Sequence, residues 1–218
     1  MSEDSNHRKY YHDGIEIPSC TTIIKNLAKS DTLIDWANYM GFKGIDTKAY
    51  IESKAAYGTH CHRLFEIFFS GNPLHLKLSD GYLTEYEYLE VIAKFKYLQE
   101  YFDTMKIEPI RNELPLEGST YGGTLDMLAY DRNNDSLIIY DLKTSKMVRL
   151  EYWIQLMGYV QLLKEVYDLP VSSIGIILLS KSPRSKDFVT MRNTIDCNRE
   201  LEIFNRLKDI YYLLSEKN

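Results

Sequence analysis

Two apolar runs, Tyr121 to Tyr130 and Leu137 to Leu142, flank the polar string Asp131-Arg132-Asn133-Asn134-Asp135 and predict a β-hairpin. Asparagine at both central positions suits the positive φ angles of a two-residue turn. Both faces of the hairpin are apolar, with Leu125, Met127, Ile138 and Tyr140 on one and Leu128, Leu137 and Ile139 on the other, so helices must cover both. Upstream the spacing of apolar residues is helical. It predicts short helices at Thr21 to Ala28 and Asp31 to Met40, the second N-capped by Ser30 or Asp31, and longer ones at Ile45 to Phe69 and Thr84 to Met105. Glu108 to Leu116 reads as a first strand ahead of the hairpin. Beyond the hairpin come a helix from Arg149 to Tyr167, a buried strand from Ser173 to Ser180, an edge strand at Phe188 to Thr194 and a closing helix from Arg199 to Leu214.

Helices, three strands, a helix and a further strand make an α/β order in which the Arg149–Tyr167 helix can return the chain to a parallel neighbour. A length of 218 residues at 44% hydrophobic content suits one domain, 1–218, with about 1–106 mainly helical and about 107–218 forming the sheet core. No repeat or low-complexity tract divides it. Cys20, Cys61 and Cys197 are odd in number and lack CxxC spacing, which supports neither a disulfide framework nor a four-cysteine zinc or iron–sulfur site. The net charge of −5 argues against nucleic-acid binding by sheer basicity. Its cations are placed locally, in KSPRSK (Lys181, Arg184, Lys186) and at Lys143, Lys146 and Arg149. No stretch of about 18 apolar residues offers a membrane span. The opening MSEDSNHRKYYHDG lacks the apolar core of a signal peptide, so a cytoplasmic protein is expected.

The candidate chemistry follows from the hairpin. A turn centred on Asn133-Asn134 pairs residues whose numbers sum to a constant, and this register sets Asp126 opposite Asp141. Lys143, two residues further along, shares their face. Directly opposed side chains lie roughly 4.5–5.5 Å apart at Cβ, where like charges are destabilising unless neutralised. A divalent cation is one neutraliser; a structural ion pair is the competing reading. An Asp-x-Lys triplet alone means little, because Asp46-Thr47-Lys48 and Glu52-Ser53-Lys54 match the same pattern on a predicted helix.

Two helices add candidates. In GTHCHRLFE, His62 and Glu66 stand at i, i+4, and the stripe Gly58, His62, Phe65, Phe69 turns His62 inward and lets the helix approach closely at Gly58. His60 and His62 point in different directions, which makes one a bystander. After the hairpin, Gln155 and Tyr159 are again i, i+4, on a stripe with Tyr152, Leu156 and Leu163. Ordinary packing and a role at the site are both open for them.

In this order and spacing, GTHCHRLFE, GGTLD, DLKTSK and QLMGY resemble the PD-(D/E)XK nuclease superfamily, specifically its RecB-like exonuclease branch. The stretch IPSCTTIIKNLAKSDTLIDWANYMG resembles the opening of phage-encoded and mitochondrial genome-maintenance exonucleases. The resemblance implies a restriction-endonuclease-like core, a mixed central sheet flanked by helices, with a helical amino-terminal region. It implies that His62, Asp126, Asp141 and the backbone carbonyl of Leu142 ligate one or two divalent ions, Mg²⁺ or Mn²⁺. Lys143 would orient and help deprotonate the attacking water. Glu113, with Glu117 as competitor, would add an acid near the metals, with Glu66 behind the ligands. Gln155 and Tyr159 would hold the nucleic-acid backbone or brace the site. The fourth cysteine of iron–sulfur relatives is missing, so no cluster is expected.

The function expected on this basis is metal-dependent exonucleolytic hydrolysis of DNA in phage-type replication, recombination or degradation. The location would then be the host cytoplasm if the protein is phage-encoded. The expected partner is DNA, single-stranded or with free ends, together with a replication or recombination protein. Tyr10, Tyr11, Trp36 and Tyr39 are candidates for stacking on bases. A structure-specific endonuclease and a non-catalytic protein that binds DNA or a partner are the alternatives. His62 softens an otherwise oxygen-rich set and favours Mn²⁺.

Overall fold

The structure, a computed structural model, describes residues 8–25, 32–70 and 83–215. The expected cap at Ser30 or Asp31 and the end of the helix predicted to reach Ala28 lie outside these residues. The chain begins with a short hairpin, β1 (Tyr10–His12) and β2 (Ile15–Ile17), turned by Asp13 and Gly14 at φ 49° and 78°. An Asp-Gly pair with both residues at positive φ is a favoured two-residue hairpin turn. Apolar spacing assigns no element to residues 10–17, where this hairpin lies. Helices α1 (Cys20–Ile24), α2 (Thr32–Phe42), α3 (Thr47–Phe69) and α4 (Glu85–Met105) follow.

Local chemistry sets their starts. Ser19 Oγ accepts from Thr22 N at 3.0 Å to open α1. Thr84 and Glu87 form a reciprocal capping box at α4. Asp46, whose Asp-x-Lys triplet duplicates the pattern at Asp141, is the cap of α3 and accepts from Lys48 N and Ala49 N at 2.8 and 3.1 Å.

The core is a mixed five-stranded sheet in the order β3-β4-β5-β6-β7, built from β3 (Ile107–Glu117), β4 (Gly122–Asp131), β5 (Ser136–Lys143), β6 (Val171–Leu178) and β7 (Val189–Asn193). Only β5 and β6 are parallel, and α5 (Leu150–Tyr167) makes the crossover between them. Strand β3 lies at the edge, where Pro109 and Pro115 cost no ladder hydrogen bond in a central strand. Helix α6 (Asn198–Ser215) closes the chain.

Helices α1, α5 and α6 cover one face through Leu128, Ile139, Ile174 and Phe204, while α3 and α4 cover the other through Phe65, Phe95, Met127 and Tyr140. Leu125 lies with Leu128 and not with Met127 as strict alternation requires, so the pleat breaks at Asp126. The expected grouping of Leu125 with Met127 is thereby corrected. Across from the break, Glu113 of β3 has φ 47°, with the pairs Asn112↔Met127 and Leu114↔Leu125 on either side.

At the sheet's centre Gly175 lies beneath Tyr140. A Cβ on Gly175 would come within 2.5 Å of two ring carbons of Tyr140 and 2.6 Å of Met191 Sδ. Gly175→Ala should therefore destabilise the fold by about 1–3 kcal/mol through overpacking, read as a lower urea midpoint with an unchanged slope. A midpoint equal to the wild type would show that the sheet yields there.

Candidate metal centre and cleft

The hairpin register is the expected one over five pairs, Met127↔Tyr140 to Asp131↔Ser136. The turn differs. Neither Asn133 nor Asn134 has a positive φ; Asp135 does, at 50°, in a four-residue loop that keeps the same centre. Asp131 Oδ1 accepts from the backbone N–H groups of Asn133 and Asn134 at 2.9 and 3.3 Å and so shapes that loop.

The ladder ends one pair short of the aspartates. Asp126 and Asp141 are not cross-strand partners, because the strands part there and the Asp126 side chain turns into the gap. Its Oδ2 accepts from Leu142 N at 2.6 Å, standing in for the backbone carbonyl that a continued β4 would offer. A strand residue's N–H and C=O point to the same side, so the Leu142 carbonyl also faces this gap. The parting also lets side chains from opposite faces of the sheet meet.

From α3, His62 Nδ1 comes within 3.2 Å of Asp126 Oδ1. One ligand atom each from His62, Glu113 and Asp126 lie within 4.8 Å of one another, an arrangement that can hold a metal ion. Glu113 reaches the group through its positive φ at the pleat break, whereas Glu117 lies exposed at the far end of β3 beside Gly122. His60 turns away and its Nδ1 pairs with the Ala56 carbonyl at 2.8 Å. Gly58 borders the cleft, but a Cβ there would sit 3.5 Å from Thr144 Oγ1, an ordinary contact. Close helix approach is therefore not the reason for that glycine.

Asp141, 2% exposed, is outside that group of three and pairs with Lys143, whose Nζ lies 2.6 Å from Oδ2. The approach is off the direction of a hydrogen bond, and this buried oxygen has no well-aligned donor among the described residues. Lys143 Nζ donates to Gln155 Oε1 at 3.1 Å, and Gln155 Nε2 donates to the Tyr159 hydroxyl at 2.9 Å. Gln155 and Tyr159 thus brace the ammonium from α5. Gly123 of the GGTLD string makes room for this: a Cβ there would meet Tyr159 Cε1 at 2.4 Å. At Gly122 the intruder would be the Tyr10 ring, again at 2.4 Å.

Protons and cations share out the charge. Burial disfavours charge on His62, but the Asp126 carboxylate outweighs it and pushes the imidazole up to about 9. Burial likewise opposes the Asp126 carboxylate, yet His62, Lys143 and the Leu142 N–H hold it below its ordinary value. Burial pushes Asp141 up to about 6 despite Lys143, and it pushes Glu113, which also faces the Asp126 charge, up to about 7. Lys143 keeps its proton: burial opposes the charge, but Asp141 and then Asp126 raise its pKa above the ordinary lysine value.

His62, Glu66, Glu113, Asp126, Asp141, Lys143, Gln155 and Tyr159 all line one open cleft of about 540 Å³. Among the residues proposed for base stacking, Tyr10 is committed, its hydroxyl 2.9 Å from Thr124 Oγ1, and Trp36 packs on Tyr50 with ring centroids 5.9 Å apart. Tyr11 and Tyr39 are exposed. Among the described residues no helix is long and apolar enough to cross a membrane.

No protein-family model and no curated protein matches the chain. Among solved structures it is similar to a phage-related exonuclease from Haemophilus somnus 129PT, at 14% identity over 93% of this chain and 96% of that one, with a TM-score of 0.36. It is also similar to SSO0001, at 14% identity over 67% of this chain and 71% of that one, with a TM-score of 0.30. At these values neither establishes a shared fold.

Proposed function

We propose that the chain is a divalent-metal-dependent nuclease with a PD-(D/E)XK core that hydrolyses DNA from its ends. The observation that carries this reading is the meeting of His62, Glu113 and Asp126, with ligand atoms within 4.8 Å of one another, beside the buried Asp141–Lys143 pair. The four-motif resemblance supports the same chemistry. The donor set fits a hard cation: two carboxylates, one imidazole and a backbone carbonyl turned to the same gap, with the Asp141–Lys143 pair beside them. Mg²⁺ or Mn²⁺ held by these groups would polarise the phosphate and lower the pKa of water.

The protein's own residues set the geometry around that chemistry. Lys143, protonated and braced by Gln155, presents N–H donors to the cleft and serves as a donor to water or a phosphate oxygen before any role as a base. Asp141 holds the ammonium in place, and Tyr159 fixes the Gln155 amide. Hydrogen bonds from His62 and the Leu142 N–H keep Asp126 ionised and ready to ligate.

Reaction of the protein with Mn²⁺ on linear and covalently closed DNA tests the reading. Linear DNA should be degraded and circles spared. Equal cutting of circles would replace the exonuclease reading by a structure-specific endonuclease, and failure to cut any DNA would end the nuclease reading.

Metal uptake has a readout independent of catalysis. Excess Mn²⁺ at about 100 times its dissociation constant should stabilise the fold by about 2.7 kcal/mol, a rise in Tm of roughly 5–10 °C that EDTA reverses. Asp126→Asn should lose this shift. A shift of equal size in the variant would remove Asp126 from the ligand set.

A further inference from the structure

The cleft over Asp126 does not end at the metal cluster. Beyond Tyr10, Ser19 and Thr21, which border both spaces, it opens into a second cavity of about 820 Å³ between β1–β2, α1 and α6. Its walls carry Arg8 and Lys25, with Tyr211 on the α6 side. Glu16, the acid in its lining, is held by Lys9 at 2.9 Å. Arg8 Nη1 donates to Thr124 Oγ1 at 3.2 Å, two residues along β4 from Asp126. Lys25 has no ion-pair partner among the described residues. The acidic floor of the first cavity thus passes into a second whose surplus charge is positive.

A polymer with one negative charge per residue fits that sequence of charges, its reacting phosphate at the acids and its neighbours at the cations. On the basis of the nuclease reading, we propose that a single DNA strand runs from the metal cluster along the second cavity, with Arg8 and Lys25 holding phosphates on that side. A single strand is favoured because Asp126 and Asp141 on the floor are only 7% and 2% exposed. One flexible backbone can descend to them, whereas a duplex would have to bring its partner strand into the same cleft.

Another basic cavity, of about 480 Å³, is lined by Arg149, Lys181 and Arg192 and shares no residue with the metal cleft. Its Arg192 is already paired with Glu200 at 3.0 Å and stacked 4.4 Å over Trp153. This cavity is the control surface.

The test is fluorescence anisotropy of a labelled oligothymidylate with the full chain in EDTA, across a salt series. Arg8→Gln/Lys25→Gln should weaken binding and make the log–log salt dependence shallower by about 1.4, the contribution of two single-strand phosphate contacts. Lys25→Glu should weaken binding further than Lys25→Gln. Both positions are exposed, and unchanged thermal unfolding of the variants would show that the fold is intact. A salt slope equal to the wild type, or the same loss appearing instead in Arg149→Gln/Lys181→Gln, would overturn the proposed track. Duplex binding equal to single-strand binding, and equally sensitive to Arg8 and Lys25, would overturn the single-strand assignment. Mn²⁺-dependent cleavage by the wild type is scored separately. If it persists while the salt slope is unchanged, only the track falls; if it is absent, the nuclease reading falls.

Discussion

Replacing Lys143 by methionine should lower Mn²⁺-supported DNA cleavage by about 10²–10⁴-fold while leaving the Mn²⁺-induced rise in Tm in place. Methionine fills the same space along Tyr152, over whose ring the ammonium sits at 5.0 Å, but offers no proton and no charge. The His62, Glu113 and Asp126 cluster does not include Lys143, so the ligands survive the change. What is lost is the one donor that Asp141 and Gln155 aim into the cleft. Lys143→Arg should not restore the rate, because a planar guanidinium cannot occupy the position of a compact ammonium held between Asp141 and Gln155. Cleavage at the wild-type rate in the methionine variant would assign Lys143 to structure alone.

The centre of the hairpin was legible because register depends on symmetry and not on turn type. Asn133-Asn134 marked the right centre although Asp135 carries the positive φ, and the pairs from Met127↔Tyr140 onward follow. The pairing of Asp126 with Asp141 was overextended, because alternation assumes that the ladder continues. Nothing in the string GGTLD announces that the strands part at Asp126 and that its side chain replaces a backbone acceptor for Leu142 N–H. That parting also brings His62 from one face of the sheet beside Lys143 from the other, which no period-2 argument on a single face can foresee.

Glu113 and Glu117 could not be separated by pattern, since both stand on β3 two turns of the pleat apart. The difference is a left-handed residue at 113 that throws its carboxylate toward Asp126. The β1–β2 hairpin, by contrast, was readable. Asp13-Gly14 between Tyr10-Tyr11-His12 and Ile15-Glu16-Ile17 is a strong two-residue turn signal, while the three-residue strands on either side are too short for apolar alternation to mark. The main crossover and the helices covering both faces followed from apolar runs and length, where packing leaves little freedom.

The opposite dissociation is expected in the apolar layer behind α5. Phe204→Ala should cost about 3–5 kcal/mol and lower Tm by roughly 6–20 °C, while metal-dependent cleavage at low temperature persists. Phe204 is fully buried, with its ring centroid 4.9 Å from that of Tyr121. Its ring also lies where a Cβ on Gly158 would approach to 2.8 Å, and the same hypothetical Cβ would meet Cys20 Sγ at 2.8 Å. One aromatic ring therefore wedges α6 against α5 and, through Cys20, against α1. Truncation leaves a void that these helices cannot close without moving α5, whose buried Gln155 and Tyr159 brace Lys143. The active arrangement survives as long as α5 stays seated, so activity should fail at the lowered unfolding temperature and not before it. Loss of cleavage well below that temperature would show that Phe204 sets the position of Gln155 directly, making the α5–α6 contact part of the site's geometry.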